Sequence, residues 1–93
     1  MKVLRLHLKG TYWYQIKTGE KTLEYRKAND YWWLRLRTWY DEIHLLRGYP
    51  KKEDQSKVIR RQWVWYPPQE YLTHPEFGDK PTWVFAIDVS HEL

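Results

Sequence analysis

The sequence predicts a small α+β fold, a mixed β-barrel of about five strands whose mouth is covered by short helices. Three observations support this prediction. Segments with the two-residue alternation of strands outnumber segments with helical periodicity. The connections between the predicted elements are tight. The 93 residues form one expected domain, 1–93, without internal repeats or low-complexity segments.

The first predicted strand covers residues 3–8. Its side chains alternate, and one face consists of leucines: Leu4, Leu6 and Leu8. This is the period of a half-buried strand, so the leucine face is assigned to the core. His7 points away from the leucines, where a lone histidine is more often a surface residue than a catalyst.

Two short helices are predicted. Residues 11–18 form the first, which buries Tyr12 and Ile16 with a neighbouring tryptophan. Gly19 supplies the left-handed cap that ends it. The second helix covers residues 29–37 and begins at an Asn-Asp pair, either member of which can cap it.

The rest of the chain predicts three strands and one further short helix. Residues 42–47 form a strand, and the charged stretch 51–57 is expected to be a mobile connection. Residues 58–66 are β-branched and aromatic, which predicts the longest strand. A Pro-Pro pair ends it and can start a helix over 69–72. Residues 82–89 predict a final, largely buried strand.

The stretch 19–26, Gly-Glu-Lys-Thr-Leu-Glu-Tyr-Arg, concentrates ionisable groups of both signs after a helix-ending glycine. Strand alternation places three polar side chains on one face: Thr22, Glu24 and Arg26. Leu23 and Tyr25 face the other way, into the expected core. Lys21 lies at the turn and can reach either face. This pattern fits a functional site, a solvated edge strand, or an internal network in which two cations neutralise one carboxylate.

Composition narrows the function classes. The formal charge is +4, from 16 basic and 12 acidic residues, which favours an anionic partner such as RNA or a nucleotide. The absence of cysteine excludes disulfides, thiolate zinc sites and cysteine nucleophiles. The four histidines lack paired ligand spacing, so neither a metal nor another cofactor is expected. No apolar run approaches about 18 residues and no leader is recognisable, which predicts a soluble, cytoplasmic protein without a membrane partner.

Aromatic residues make up 18% of the chain, too many for all of them to be interior. Those at the surface can stack on a base. The stacking candidates lie in the second helix and the fourth strand: Trp63, Trp65, Tyr66, and Trp32 or Trp33. The best candidates for phosphate contacts are Arg47 and the pair Arg60 and Arg61.

With these elements in place, the chain resembles the ASCH domain family, whose fold is a small PUA-like β-barrel. The residues that carry the resemblance lie in four segments: 6–9, 16–26, 41–43 and 47–50. The Gly-x-Lys-Thr-x-Glu-x-Arg string of residues 19–26 is its most specific part. The resemblance covers essentially the whole chain.

This resemblance implies recognition of RNA or a nucleoside in a cleft between barrel and helices. Some small members remove the acyl group from N4-acetylcytidine with a lysine, a threonine and a glutamate; others resemble ribonucleases or RNA-binding modules. Here the lysine matches Lys21, whereas Glu24 stands where the threonine would be. The third residue matches Glu70 or Glu76.

The resemblance therefore implies an amidohydrolase acting on an N4-acylated cytidine, and the residues of the 19–26 stretch allow that chemistry. Glu24 would activate water, Lys21 would polarise the carbonyl and protonate the leaving nitrogen, and Thr22 would be a fallback nucleophile. The predicted catalytic set is Lys21, Glu24, Glu70 and Thr22. The predicted substrate-binding set is Arg26, Arg47, Trp63, Trp65 and Tyr66. The alternatives are a non-catalytic RNA-binding module and a ribonuclease using the same cleft.

Overall fold

The computed structural model describes residues 1–93 and has a mixed α+β fold of six strands and two α-helices. The strands are β1 (Val3–Leu8), β2 (Leu23–Lys27), β3 (Glu42–Arg47), β4 (Val58–Gln62), β5 (Gln69–Leu72) and β6 (Thr82–Asp88). The helices are α1 (Gly10–Lys17) and α2 (Asp30–Leu36), with short 3₁₀ helices at Gln55–Lys57 and Pro75–Phe77. The predicted α+β class is confirmed, although the strands number six rather than about five.

The strands form two three-stranded sheets rather than one continuous hydrogen-bonded ladder. In the first sheet, β3 lies between a parallel β1 and an antiparallel β4. In the second sheet, β6 lies between β2 and β5 and is antiparallel to both. The C-terminal tail joins the sheets, because the backbone N–H of Gln62 on β4 donates to the carbonyl of His91 at 2.8 Å.

The core confirms the predicted leucine face of β1 and the first helix. Leu4 and Leu6 are fully buried, and Ile16 of α1 packs in the same cluster. Trp13 is buried beside Ile16 and donates from Nε1 to the carbonyl of Leu45 at 2.9 Å, whereas Tyr12 is only half-buried. Gly19 has a φ of 83°, as expected for the left-handed residue that ends α1.

The prediction that residues 58–66 form the longest strand is wrong. β4 ends at Gln62, which pairs with Glu42, the first residue of β3. Because β3 offers no further partner, the chain leaves the ladder at Trp63, and that side chain turns into the core. The longest strand is instead β6, with seven residues.

The helix predicted over residues 69–72 is also wrong, because these residues form β5. They pair with β6 from Gln69 opposite Phe85 to Leu72 opposite Thr82. Four residues cannot offset the cost of nucleating a helix, whereas the open edge of β6 supplies a hydrogen-bond partner for the same backbone groups. The Tyr71 and Trp83 rings, 5.3 Å apart, add a cross-strand contact.

The segment 51–57 is a loop, as predicted, except for the 3₁₀ helix Gln55–Lys57 that ends it. Asp54 caps this short helix by accepting a hydrogen bond from the backbone N–H of Ser56. Neither α-helix is long and apolar enough to cross a bilayer.

Candidate functional site

A cleft of about 180 Å³ opens where the end of β1, the start of α1 and the edge strand β2 meet the turn Pro75–Phe77. The side chains that matter for its chemistry are His7, Tyr12, Glu24, Arg26, His74 and Glu76. They come from segments far apart in the sequence, so the fold assembles the cleft.

Glu24 lies at the floor of this cleft and is only 6% exposed. Strand alternation puts it on the same face of the second sheet as its partner Ile87, which belongs to the main core. Leu23 and Tyr25, on the opposite face, are half-buried rather than core residues. The polar face of β2 is thus the inner one, contrary to the expectation that Leu23 and Tyr25 would be interior.

Two cations flank the Glu24 carboxylate. Nη2 of Arg26 lies 2.8 Å from Oε2, and Nζ of Lys21 lies 3.6 Å from Oε1. Burying a carboxylate is costly unless it is paired, and these cations offset that cost. The structure therefore brings together three of the residues predicted from the 19–26 stretch.

The two flanking cations are not held alike. Arg26 also donates from Nη2 to the carbonyl of His7 at 2.9 Å, which ties β2 to β1. Its Nε is buried without a hydrogen-bond partner, an unusual state for a guanidinium donor. The separation between Lys21 and Glu24 is too long for a direct hydrogen bond, so both keep hydrogen-bonding capacity for a bound molecule.

Aromatic rings surround both cations. Nζ of Lys21 lies 5.4 Å from the ring centre of Tyr12 and 5.1 Å from that of Tyr25. The Arg26 guanidinium lies 5.0 Å from the ring of Trp32. These are cation–π distances, so the rings help to position the charges, and Tyr12 and Tyr25 also form walls of the cleft. Trp32 contributes through Arg26, whereas the predicted alternative, Trp33, is half exposed on α2.

An ion pair spans the cleft between the start of α1 and the turn Pro75–Phe77. Nζ of Lys9 lies 2.8 and 2.9 Å from the two carboxylate oxygens of Glu76, and the Tyr12 hydroxyl donates to Oε1 at 3.4 Å. The Lys9 hydrogen bond lowers the pKa of Glu76. Desolvation, followed by the charge of Glu76, raises the pKa of Tyr12, so that phenol stays protonated at neutral pH.

Two histidines also line the cleft, each with a ring nitrogen committed to the backbone. Nδ1 of His7 donates to the carbonyl of Gly48 at 2.8 Å, and Nδ1 of His74 accepts from the N–H of Glu76 at 3.1 Å. The His74 ring stacks on Phe77 at 4.7 Å. Nε2 of neither ring has a protein hydrogen-bond partner. In the neutral tautomers that these bonds select, Nε2 of His7 can accept a proton and Nε2 of His74 can donate one.

Of the four predicted catalytic residues, only Glu24 lines the cleft. Lys21 reaches its carboxylate from a neighbouring pocket that Thr22 also lines. Thr22 is exposed, and its carbonyl accepts from the N–H of Val89. Glu70 pairs with Val84, three residues from the Ile87 that pairs with Glu24, so the two glutamates are on opposite faces of the sheet. Of the two candidates for the third site residue, Glu76 is therefore the one that lines the cleft.

The other predicted substrate-binding residues are also elsewhere. Arg47 packs against Tyr14, with its guanidinium 5.4 Å from that ring. Trp63 is 5% exposed and is a core residue. Trp65 and Tyr66 are exposed on an aromatic cluster outside the cleft.

Sequence reasoning missed Lys9, Tyr12 and His74 as site residues. Lys9 and Glu76 are 67 positions apart, and no local pattern indicates that they meet. Tyr12 was assigned to the buried stripe of its helix, where helical periodicity alone cannot separate a core residue from a cleft wall.

No group of three or more histidine, aspartate or glutamate side chains is arranged to hold a metal ion.

No known protein family, characterised protein or solved structure matches this chain. The resemblance to the ASCH domain family accordingly stays a prediction from the residues.

Proposed function

We propose that this protein is an amidohydrolase with a PUA-like ASCH fold, which removes the acyl group from an N4-acylated cytidine in the cytoplasm. The observation that carries the proposal is the buried Glu24 carboxylate, held between Arg26 and Lys21 at the floor of an aromatic-walled cleft. The walls suit a planar base, and a carboxylate beside an ammonium suits hydrolysis of an amide.

Glu24 is the proposed general base. Arg26 binds Oε2 and fixes the carboxylate, which leaves Oε1 as the oxygen that can accept a proton. Oε1 takes a proton from water, the water oxygen bonds to the acyl carbon, and the carbonyl electron pair moves onto the carbonyl oxygen. This route needs no threonine nucleophile, in agreement with a glutamate at position 24.

Lys21 is the proposed electrophile and acid. Its ammonium stabilises the oxyanion of the tetrahedral intermediate. When the intermediate collapses, the bond between the acyl carbon and N4 breaks, and N4 takes a proton from Lys21. The proton held by Glu24 then returns to Lys21 across the 3.6 Å separation. The products are the cytidine amine and a carboxylic acid, so one water is consumed.

Glu76, rather than Glu70, is the proposed third residue, because it lines the cleft. Its bonds to Lys9 and Tyr12 hold the turn Pro75–Phe77 against α1. We assign it a positioning role, holding this wall of the cleft, which also includes the neighbouring rings of Tyr12 and His74.

The test is release of cytidine from N4-acetylcytidine by the purified protein, followed by chromatography. Glu24→Gln keeps the shape of the side chain but removes the base, so we expect a loss of at least about 100-fold. Lys21→Ala should lose activity similarly. The matched controls are the exposed neighbours Glu20→Gln and Lys17→Ala, which should retain activity. No turnover by the wild type, or wild-type turnover by Lys21→Ala, would overturn the proposal.

A ribonuclease is the second candidate, favoured by the two histidines that line the cleft with Nε2 unengaged. One imidazole would take the proton of a ribose 2′-OH, the 2′ oxygen would bond to phosphorus, and the other would protonate the departing 5′ oxygen. Incubation of end-labelled RNA with EDTA tests this candidate. Intact RNA after prolonged incubation eliminates it, whereas fragments with 2′,3′-cyclic phosphates that are lost with His74→Gln support it.

A further inference from the structure

A basic groove lies on the outer face of the first sheet, beside the cleft. Its volume is about 510 Å³, and it runs between β1, β3 and the loop that follows β3. The basic and imidazole side chains that line it are Arg5, His7, His44, Lys51 and Lys52. Arg5 and His44 are cross-strand neighbours, on the face opposite the buried leucines of β1.

The groove carries positive charge that no carboxylate neutralises. Arg5, Lys51 and Lys52 are exposed and form no ion pair. The loop also contains Glu53 and Asp54, but neither lines the groove, and Asp54 pairs with Lys57 at 3.6 Å. Three unpaired cations on one concave surface therefore raise the local concentration of anions.

The nearest buried carboxylate, Glu42, is already matched by another cation. Arg60 donates to both of its oxygens at 2.9 Å, and His44 donates to Oε1 at 3.0 Å. Hydrogen bonds from Arg60 first, and then from His44, lower the pKa of Glu42 to about 2. Glu42 and Arg60 thus form a neutral pair that leaves the charge of the groove uncompensated.

His7 joins the groove to the cleft, since it lines both. Tyr49 stacks on one face of His7 with the ring centres 4.3 Å apart, and Tyr49 is itself 87% exposed. An aromatic ring with an open face consequently lies at the junction. A base next to the one in the cleft could stack there.

We propose that this groove binds the phosphates of a single-stranded oligonucleotide, so that the cleft acts on a nucleotide within a strand rather than on a free nucleoside. This inference rests on the proposed function for the chemistry of the cleft. A chain of phosphates matches several separated cations, and Tyr49 matches an unstacked neighbouring base. A duplex would have to release the base before it could enter the cleft.

The first test measures binding without catalysis, by fluorescence anisotropy of a short pyrimidine oligoribonucleotide that carries no acyl group. Each phosphate neutralised on a single strand contributes about −0.7 to the slope of log K against log salt, so three contacts predict a slope of about −2. The double variant Lys51→Ala/Lys52→Ala should reduce the slope by about 1.4. Tyr49→Ala should weaken binding roughly tenfold and leave the slope unchanged.

Two controls make this test specific. The double variant Lys2→Ala/Lys80→Ala removes the same charge from exposed positions outside the groove and should bind like the wild type. The second control is competition by poly-glutamate, an anionic polymer without bases, which should displace the labelled oligonucleotide poorly. An equal loss of binding in both double variants overturns the inference. Competition by poly-glutamate as strong as that by unlabelled oligonucleotide also overturns it, as does the absence of any binding by the wild type.

The second test compares hydrolysis of free N4-acetylcytidine with hydrolysis of the same nucleotide inside an oligonucleotide. We expect a higher kcat/KM for the oligonucleotide, and Lys51→Ala/Lys52→Ala should abolish this preference without changing hydrolysis of the nucleoside. Equal kcat/KM values for both substrates overturn the inference while the proposed function stands. Oligonucleotide binding at the groove without any hydrolysis overturns the proposed function and leaves the groove as a nucleic-acid site.

Discussion

Arg26 and Glu24 form a 2.8 Å ion pair between positions two apart on one strand, and the pair faces the interior of the protein. Residues at this spacing share a face of a strand, and such polar faces usually meet solvent. Here the pair is mostly buried and Lys21 approaches from the other side. The arrangement places a fixed carboxylate at the floor of a cleft, where its charge acts in a low-dielectric environment.

Removing Arg26 should destabilise the protein, because it leaves the Glu24 carboxylate without its close partner. For Arg26→Leu we expect a loss of about 3 kcal/mol in the free energy of unfolding, measured by urea denaturation. The second change Glu24→Gln should recover part of that loss, since it removes the unpaired charge. If the double variant is as unstable as the sum of the single variants, the pair is not coupled in the way the geometry indicates.

Glu42 should make the free energy of unfolding depend on pH in the acid range. Its pKa is lowered from 4.5 to about 2 in the folded protein by hydrogen bonds from Arg60 and His44. A lowered folded pKa contributes stability that is present above pH 4.5 and is lost as the pH falls toward about 2. The free energy of unfolding, measured by urea denaturation at several pH values between these limits, should fall less steeply with decreasing pH for Glu42→Gln than for the wild type. Parallel curves would show that Glu42 does not contribute.

Lys9 should matter for the cleft more than for stability. Its ion pair with Glu76 is largely exposed, and exposed pairs contribute little to folding. Lys9→Met should therefore melt close to the wild-type temperature, yet lower kcat/KM by about ten- to a hundredfold because the turn Pro75–Phe77 is less well positioned. Lys9→Arg, which can keep the pair, is the matched control. Wild-type activity in Lys9→Met would contradict the positioning role of this contact.

Substitution of Trp13 should lower the free energy of unfolding more than substitution of any other tryptophan. It is 2% exposed and donates to the carbonyl of Leu45 at 2.9 Å. Trp13→Phe removes this hydrogen bond to a buried carbonyl and leaves a small cavity, so we expect a loss of about 2 kcal/mol in the free energy of unfolding. Trp65→Phe, at a position that is 73% exposed, should change the free energy of unfolding by less than about 0.5 kcal/mol. Equal losses in the two variants would contradict this assignment of core and surface.

The elements that could be predicted from the sequence are those that local pattern specifies. Alternation of leucines defined β1, the glycine after Arg47 marked the end of β3, and a largely apolar run located β6. Gly19 marked the end of α1 because a positive φ there favours glycine. The spacing of Glu24 and Arg26 on one strand was enough to place both on one face.

Only the tertiary structure decided the features that depend on distant partners. Residues 69–72 became a strand because β6 offered an open edge, and β4 stopped at Gln62 because β3 offered no further partner. The same physical reason applies to the site. Pairing and packing with residues far along the chain decide whether the polar face of β2 points inward. They also decide whether Glu70 or Glu76 reaches the cleft, and local periodicity carries no information about such distant contacts.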